Sequence, residues 1–338
     1  MRCLSLPKLH IRKILKYKEV IMEDNTGRKI TYLRLSVTDL CNLRCRYCMP
    51  EEGVCQKPHN EIMTEEEMIS AVRAAVRLGI NKVRITGGEP LVKKNIISLC
   101  EKIAVIPGLD DFALTTNGIL LTKMAKDLVS AGVKRINISL DTLTAEKYSY
   151  ITRRGRLEDA ISGIETALEA GFEKIKINTV LIGGFNDDEI RSFCELTKKW
   201  PADVRFIELM PLFNNPAFKP DAYIPASIIK EKVPDLIEEN YYDGVSRVFR
   251  LEDSKGKIGI ISPVTNDFCA SCNRIRITAD GKIKPCLHRK PEYSIKGLTE
   301  DEMEERIKKA ILEKPDRRGE LSCSKMSLAG RYMNQIGG

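Results

Sequence analysis

The stretch Tyr32-Leu33-Arg34-Leu35-Ser36-Val37-Thr38-Asp39-Leu40-Cys41-Asn42-Leu43-Arg44-Cys45-Arg46-Tyr47-Cys48 runs from an apolar, β-branched segment into three cysteines within eight residues. Tyr32 to Val37 reads as a strand, which places the Cys41-x3-Cys45-x2-Cys48 triad on the loop that follows it. Three thiolates at this spacing can wrap three corners of a cubane iron–sulfur cluster and leave the fourth iron without a protein ligand. A structural zinc site is the competing reading, but zinc normally closes with four ligands. No further Cys or His occurs in this loop before Cys55 and His59.

Outward from this loop the pattern repeats. Strands are expected at Lys82 to Thr86, Phe112 to Thr116, Arg135 to Leu140, Lys174 to Leu181 and Val204 to Leu209. Between them, helices are expected at Glu65 to Leu78, Asn95 to Val105, Lys123 to Ser130, Leu157 to Ala170 and Asp188 to Lys199. In Leu157 to Ala170 the residues Leu157, Ala160, Ile161, Ile164, Ala167 and Leu168 form one apolar stripe, and Gly171 follows as a cap. Six such units in series predict an α/β fold with a parallel sheet and right-handed crossovers, doubly wound or bent into a partial (βα)6 barrel. In either case ligands belong at the carboxyl ends of the strands. The sequences Thr38 to Cys48, Gly87 to Pro90 and Thr115 to Gly118 all follow strand ends.

After Met210 the periodicity gives way to a Pro-rich, aromatic stretch, a helix near Ile224 to Lys232 and two hairpin-like segments. The second of these, Arg274 to Ile277 and Lys282 to Pro285, turns at Asp280-Gly281. A final helix is expected over Glu300 to Leu312. The chain thus divides into residues 1–21, a basic extension, 22–210, the partial-barrel core, and 211–338, a smaller C-terminal domain. The extension carries Arg2, Lys8, Arg12, Lys13, Lys16 and Lys18 against the single acid Glu19, with no long apolar stretch.

Of the 338 residues, 43% are hydrophobic and 30% charged, the proportions of a soluble globular protein. No apolar run approaches the roughly 20 residues of a membrane helix, so no membrane role is expected. The net charge of +8 suits an anionic ligand, but it is dispersed and does not form a nucleic-acid footprint. Three histidines are too few and too scattered for a His-rich metal site. Six of the eleven cysteines sit in two tight groups of ligand-like spacing, which fits a reducing, cytoplasmic setting better than a disulfide framework.

The second group is Cys269-x2-Cys272-x13-Cys286, in which the Asp280-Gly281 hairpin returns Cys286 to the first pair. From spacing alone, a zinc ribbon completed by Cys323 or His288 competes with a second three-cysteine cluster.

The first triad, with aromatic Tyr47 just before its last cysteine, resembles the signature of radical S-adenosylmethionine (SAM) enzymes. That resemblance implies a [4Fe–4S] cluster whose open iron is chelated by SAM, and reductive cleavage to a 5′-deoxyadenosyl radical. Gly87-Gly88-Glu89-Pro90, Ser139 in Ile138-Ser139-Leu140-Asp141, and Met210 in Glu208-Leu209-Met210-Pro211 are similar to the superfamily's SAM-contacting positions. The string Phe268-Cys269-Ala270-Ser271-Cys272-Asn273-Arg274-Ile275-Arg276, the terminal Gly337-Gly338, and the opening Asp24-x2-Gly27-Arg28 further resemble one family within it. These are the GTP 3′,8-cyclases that begin molybdenum-cofactor biosynthesis.

This resemblance spans Met22 to Gly338. It implies that Cys269, Cys272 and Cys286 hold a second [4Fe–4S] cluster with an open iron for guanine. It further implies that Arg34, Arg84, Thr115, Lys176, Arg274, Ile275 and Arg276 contact GTP, and that the terminal glycines reach into the site. The absence of G-x4-G-K-[ST] and G-x-G-x-x-G agrees, because a triphosphate must then be held by side-chain cations. On a strand, Arg274 and Arg276 share one face. The implied partners are GTP, an external reductant, the next pathway enzyme (cyclic pyranopterin monophosphate synthase) and a second copy in a homodimer. The alternatives are a radical SAM enzyme acting on a peptide, and a zinc-bearing RNA-binding protein. Leu40 departs from the family's usual arginine, and Cys323 is an additional thiol.

Overall fold

A computed structural model describes residues 21–212, 220–322, 325 and 327–337. Nearly all of the basic extension, and with it Cys323 and Gly338, lies outside the described residues. Six parallel strands occur in chain order: β1 (Tyr32–Ser36), β2 (Lys82–Thr86), β3 (Asp111–Thr116), β4 (Arg135–Ser139), β5 (Lys174–Leu181) and β6 (Asp203–Glu208). Their crossovers carry α1 (Glu65–Arg77), α2 (Ile96–Ala104), α3 (Leu121–Ser130), α4 (Ala145–Thr152), α5 (Leu157–Ala170) and α6 (Ile190–Lys199). The main apolar core lies between strands and helices, around Leu33, Ile85, Leu114, Ile136, Ile177 and Phe206. No helix among the described residues is long and apolar enough to cross a membrane.

The sheet curls into a partial barrel. Flat, the four spacings between β2 and β6 would separate them by about 19 Å. Instead one cavity is lined from both strands, and the charges of Arg84 and Arg205 act on each other across it.

The C-terminal residues extend this same sheet at both edges. After α7 (Ile228–Lys232) come β7 (Ile237–Asp243), β8 (Ser246–Arg250) and β9 (Ile258–Ile261), an antiparallel run whose last strand lies parallel to β6. On the opposite edge β10 (Arg274–Ile277) lies parallel to β1, and β11 (Lys282–Lys284) and β12 (Tyr293–Ser294) continue outward. The resulting order is β12-β11-β10-β1-β2-β3-β4-β5-β6-β9-β8-β7. Helix α8 (Glu300–Leu312) packs beside α1, and Arg77 of α1 pairs with Glu304 at 2.6 Å. Both helices begin with a reciprocal cap, Thr64 with Glu67 and Thr299 with Glu302. The short α9 (Met333–Ile336) ends the described chain.

Two elements differ from expectation. Helix α4 carries no clear apolar stripe, and its two turns hold an aromatic and β-branched mixture that reads as neither element. Helix α7 starts four residues later than Ile224, because the residue before Pro225 is driven out of the helical region.

One close approach fixes the placement of the loop after β3. Gly163 of α5 lies against Gly118, and a Cβ at Gly163 would stand 2.0 Å from the Gly118 carbonyl oxygen. Replacing Gly163 by Ala is therefore expected to lower stability by about 1–3 kcal/mol through overpacking. Denaturant unfolding checks this, and an unchanged midpoint would show that the contact yields freely.

Candidate active site

The first triad is held by backbone contact with the loop after β2. The Gly88 N–H donates to Thr38 O and the Glu89 N–H to Leu40 O, each at 2.8 Å. A Cβ at Gly88 would sit 2.3 Å from Leu40 O, and one at Gly87 would sit 2.4 Å from Thr38 O, so only glycines allow this approach. Glu89 is buried and accepts from Leu91 N (3.0 Å), Thr116 Oγ1 (2.8 Å) and Asn117 N (2.7 Å). Burial pushes its carboxyl up to about 7. Asn117 in turn donates to Asn42 at 2.8 Å, so three strand-end loops are tied together.

Cys41, Cys45 and Cys48 are free thiols that line the cavity. Burial pushes Cys41 up to about 11 and Cys48 up to about 12. The Leu43 N–H already points at Cys41 Sγ at 3.3 Å, and the Met333 N–H donates to Cys48 O at 3.3 Å. Such N–H···S bonds are the usual support of cluster thiolates, and the donor set fits an iron–sulfur group. Tyr47 donates to Asp141 Oδ2 at 2.7 Å, while Asp141 Oδ1 accepts from Val180 N at 2.9 Å. Burial raises Asp141 to about 6. Tyr47, Gly88, Ser139 and Met210 line the same cavity as the triad, whereas the Leu40 side chain is exposed.

Cys269, Cys272 and Cys286 line the cavity from the β10 side. Arg28 clamps their loop: its guanidinium pairs with Asp24 at 2.6 Å and donates to Cys269 O (2.8 Å) and Pro315 O (2.9 Å). The Arg318 N–H approaches Cys269 Sγ at 3.4 Å. His288 lines the cavity with its Nδ1 on Ser327 Oγ at 3.1 Å, and burial pulls it down to about 3.

Between the triads the cavity, about 480 Å³, is walled by cations. Arg34 is in register with Arg84 on one side and Arg276 on the other, so three guanidinium groups stand abreast on adjacent strands. Like charges in this position repel. The Tyr32 ring sits among them, 6.0 Å from Arg34, 5.4 Å from Arg84 and 5.7 Å from Arg274. Nε of Arg34, Arg84 and Arg274 and Oγ1 of Thr115 are buried without a hydrogen-bond partner. Burial, with Arg34, Arg205 and Arg135 nearby, pulls Arg84 down to about 9. Across the cavity Asp243 of β7 bonds both Lys176 and Arg205 at 2.5 Å. Burial together with Arg205 pulls Lys176 down to about 7 despite this bond.

The structure thus brings Arg34, Arg84, Thr115, Lys176, Arg274 and Arg276 to one cavity. Ile275 is the exception. The alternation that aims its neighbours inward turns its fully buried side chain into the core. The cations also sit lower than the strand ends, at the third residue of β1, β2, β5, β6 and β10, inside the open barrel. Arg205 and Tyr32 escaped the sequence reading, although a charge within Val204-Arg205-Phe206 is itself a signal of an inward polar site. Asp243 carried no such signal, since a hairpin end far along the chain delivers it.

The tail enters this cavity. Gly337 has φ +82, and a Cβ there would stand 2.2 Å from Thr86 Oγ1. Arg276 donates to Gly337 O, and Asn334 Nδ2 donates to Asp39 O at 2.8 Å.

Comparison with known proteins agrees with this geometry. Residues 35–197 match the Radical SAM superfamily and residues 202–320 match Molybdenum Cofactor Synthesis C. A GTP 3′,8-cyclase of Alkaliphilus metalliredigens (strain QYMF) is 46% identical over 322 residues, covering 94% of this chain and 100% of the relative. The GTP 3′,8-cyclase of Peptoclostridium acidaminophilum is 49% identical over 280 residues, covering 82% and 86%. Among solved structures, Streptococcus suis SuiB superposes with TM-score 0.63 at 16% identity, over 86% of this chain and 68% of that one. Native anSMEcpe with bound AdoMet gives 0.58 at 19% identity, over 82% and 81%, and both likenesses concern the fold alone. By sequence the chain belongs to the GTP 3′,8-cyclase family of radical SAM proteins.

Proposed function

We propose that the chain converts GTP to 3′,8-cyclo-7,8-dihydro-GTP, the first step of molybdenum-cofactor biosynthesis, with SAM and two [4Fe–4S] clusters. The observation that carries this reading is the in-register row Arg276, Arg34 and Arg84, with the buried Nε atoms of Arg34, Arg84 and neighbouring Arg274 unpaired, in a cavity bounded by two cysteine triads. Cys41, Cys45 and Cys48 would hold the cluster that binds SAM, and Cys269, Cys272 and Cys286 the second cluster. Bound there, these groups supply one-electron cleavage of SAM and a carbon radical that takes hydrogen from C3′ of GTP. Every other task falls to the chain.

Arg34, Arg84 and Lys176 hold the triphosphate, whose negative charge relieves their mutual repulsion. Asp243 holds Lys176 and Arg205 until the anion arrives. Arg274 and Arg276, with the main chain of Ile275, place the guanine toward the second triad. The Thr115 hydroxyl, buried without a partner, supplies a further hydrogen bond to the nucleotide. Tyr47, Gly88, Ser139 and Met210 bound the SAM side of the cavity. Its depth within the barrel keeps water from a reactive radical.

An external reductant belongs with this reading, since SAM cleavage consumes an electron. Transfer of the product to cyclic pyranopterin monophosphate synthase, a cytoplasmic setting, a homodimer and the division at residues 21 and 210 are further parts of the proposal.

Anaerobic reconstitution with iron and sulfide, followed by SAM, a reductant and each nucleoside triphosphate, tests the substrate. 5′-Deoxyadenosine formation is expected to depend on GTP, and independence from GTP overturns the assignment. Arg34→Ala and Arg84→Ala are each expected to weaken GTP binding about ten- to a hundredfold, as for loss of about 1.5–3 kcal/mol in a charged hydrogen bond. Their iron content should stay that of the wild type, and calorimetry with iron analysis separates the two effects.

The Lys176 prediction concerns pH. A lysine lowered to about 7 loses its charge as pH rises through that value, and a bound anion must restore the proton. GTP affinity of the wild type should therefore fall above pH 7 more steeply than that of Lys176→Met. Parallel profiles would refute a role for Lys176 in charge binding.

A further inference from the structure

Three lysines are buried among the described residues, and two of them have a carboxylate partner: Lys176 bonds Asp243, and Lys284 lies 3.2 Å from Glu292. Lys314 does not. It is 5% exposed, and its Nζ donates to two main-chain carbonyls, Arg274 O at 2.8 Å and Pro285 O at 2.6 Å. Among the described residues no carboxylate pairs with it. A buried ammonium with carbonyl partners alone keeps most of its desolvation cost, so an anion is missing from its surroundings.

The position of those carbonyls identifies the anion. Arg274 lies two residues after Cys272, and Pro285 lies immediately before Cys286. One Nζ thus joins the two chain segments that carry these cysteines, and Lys314 lines the same cavity as all three. The support is rigid, because Lys314 follows the end of α8, where its N–H bonds Ile311 O at 3.1 Å. Four residues on, the Arg318 N–H reaches Cys269 Sγ, so the segment from Lys314 to Arg318 touches one sulfur directly and main-chain carbonyls close to the other two cysteines. Of the other cations at this segment, Arg28 is already balanced by Asp24, while Arg289, on Arg317 O, and Arg318, on Gly319 O and Val264 O, are less buried than Lys314.

We infer that Lys314 is the built-in counter-charge of the second triad, balancing the negative charge that three thiolates bring to an iron–sulfur group there. This rests on the reading of Cys269, Cys272 and Cys286 as an iron–sulfur site. Lys314 is a positioning residue: it fixes the separation of Cys272 and Cys286 through their neighbouring carbonyls, and its charge favours the more negative, reduced state of the group.

The test uses the full chain with Cys41, Cys45 and Cys48 replaced by Ala, reconstituted anaerobically so that only the second site is read. Iron and sulfide content and the midpoint potential, followed by electron paramagnetic resonance, are compared for Lys314, Lys314→Arg and Lys314→Gln. Gln keeps a donor and removes the charge. Its reduction equilibrium is expected to move at least tenfold toward the oxidised state, about 59 mV lower for one electron, while Arg stays near the parent value. Loss of iron from Gln but not from Arg supports the inference equally. Equal iron and equal potential in all three overturn it, as does loss of iron from both variants, which would assign the role to lysine's shape and not its charge. If the parent chain itself binds no iron, the cluster reading of the second triad fails and the inference with it.

Discussion

Two backbone hydrogen bonds, from Gly88 to Thr38 and from Glu89 to Leu40, join the loop after β1 to the loop after β2, and the site depends on them. They set where the first triad stands relative to the barrel interior. The glycines are needed for this approach before any ligand is considered, because a side chain at either position would overlap a carbonyl oxygen. Glu89 carries the same connection onward to Thr116 and Asn117, so the loops of three strands move as one unit. A ligand meeting Gly88 therefore meets a surface whose shape is fixed by main-chain contact and not by flexible side chains.

A second constraint is electrostatic. In a closed eight-stranded barrel the interior is filled by packed side chains, whereas this open one leaves room for a ring of arginines that the acids among the described residues balance on one side only. Asp243 neutralises one side of the ring, at Lys176 and Arg205, and leaves Arg34, Arg84 and Arg274 with bare nitrogens. Folding pays for this arrangement through the apolar layer behind it, where Leu33, Leu35, Ile85 and Ile275 are wholly buried on the opposite face of the same strands. The alternation of a β-strand separates the two roles residue by residue.

Much of this was legible in the sequence for identifiable reasons. The parallel strands are short, β-branched and bounded by turn residues, and β2, β5, α5 and α8 fall where their patterns place them. The cysteine spacings picked out two triads, and the structure brings all six thiols to one cavity. What stayed hidden was non-local. Nothing in Arg274 to Ile277 says that it pairs with β1, and nothing in Asp243 says that it meets Lys176. The register of Arg276, Arg34 and Arg84 is a property of three segments together and cannot be read from any one. At Ile275 strand alternation sends the side chain into the core, so only its main chain is left to face the site.

The pairing of β1 with β10 has a consequence for the order of events during synthesis. Tyr32 lies opposite Arg274, so at a ribosomal rate of about 5–20 residues per second the first strand waits on the order of ten to fifty seconds for its second neighbour. Through that interval one edge of β1 has no partner strand, and the loop bearing Cys41, Cys45 and Cys48 hangs from an unfinished sheet. Met333, whose N–H donates to Cys48 O, is made later still. A chain built this way has its proposed cluster ligands exposed long before their pocket exists, which would make the timing of metal delivery as much a part of maturation as the fold itself.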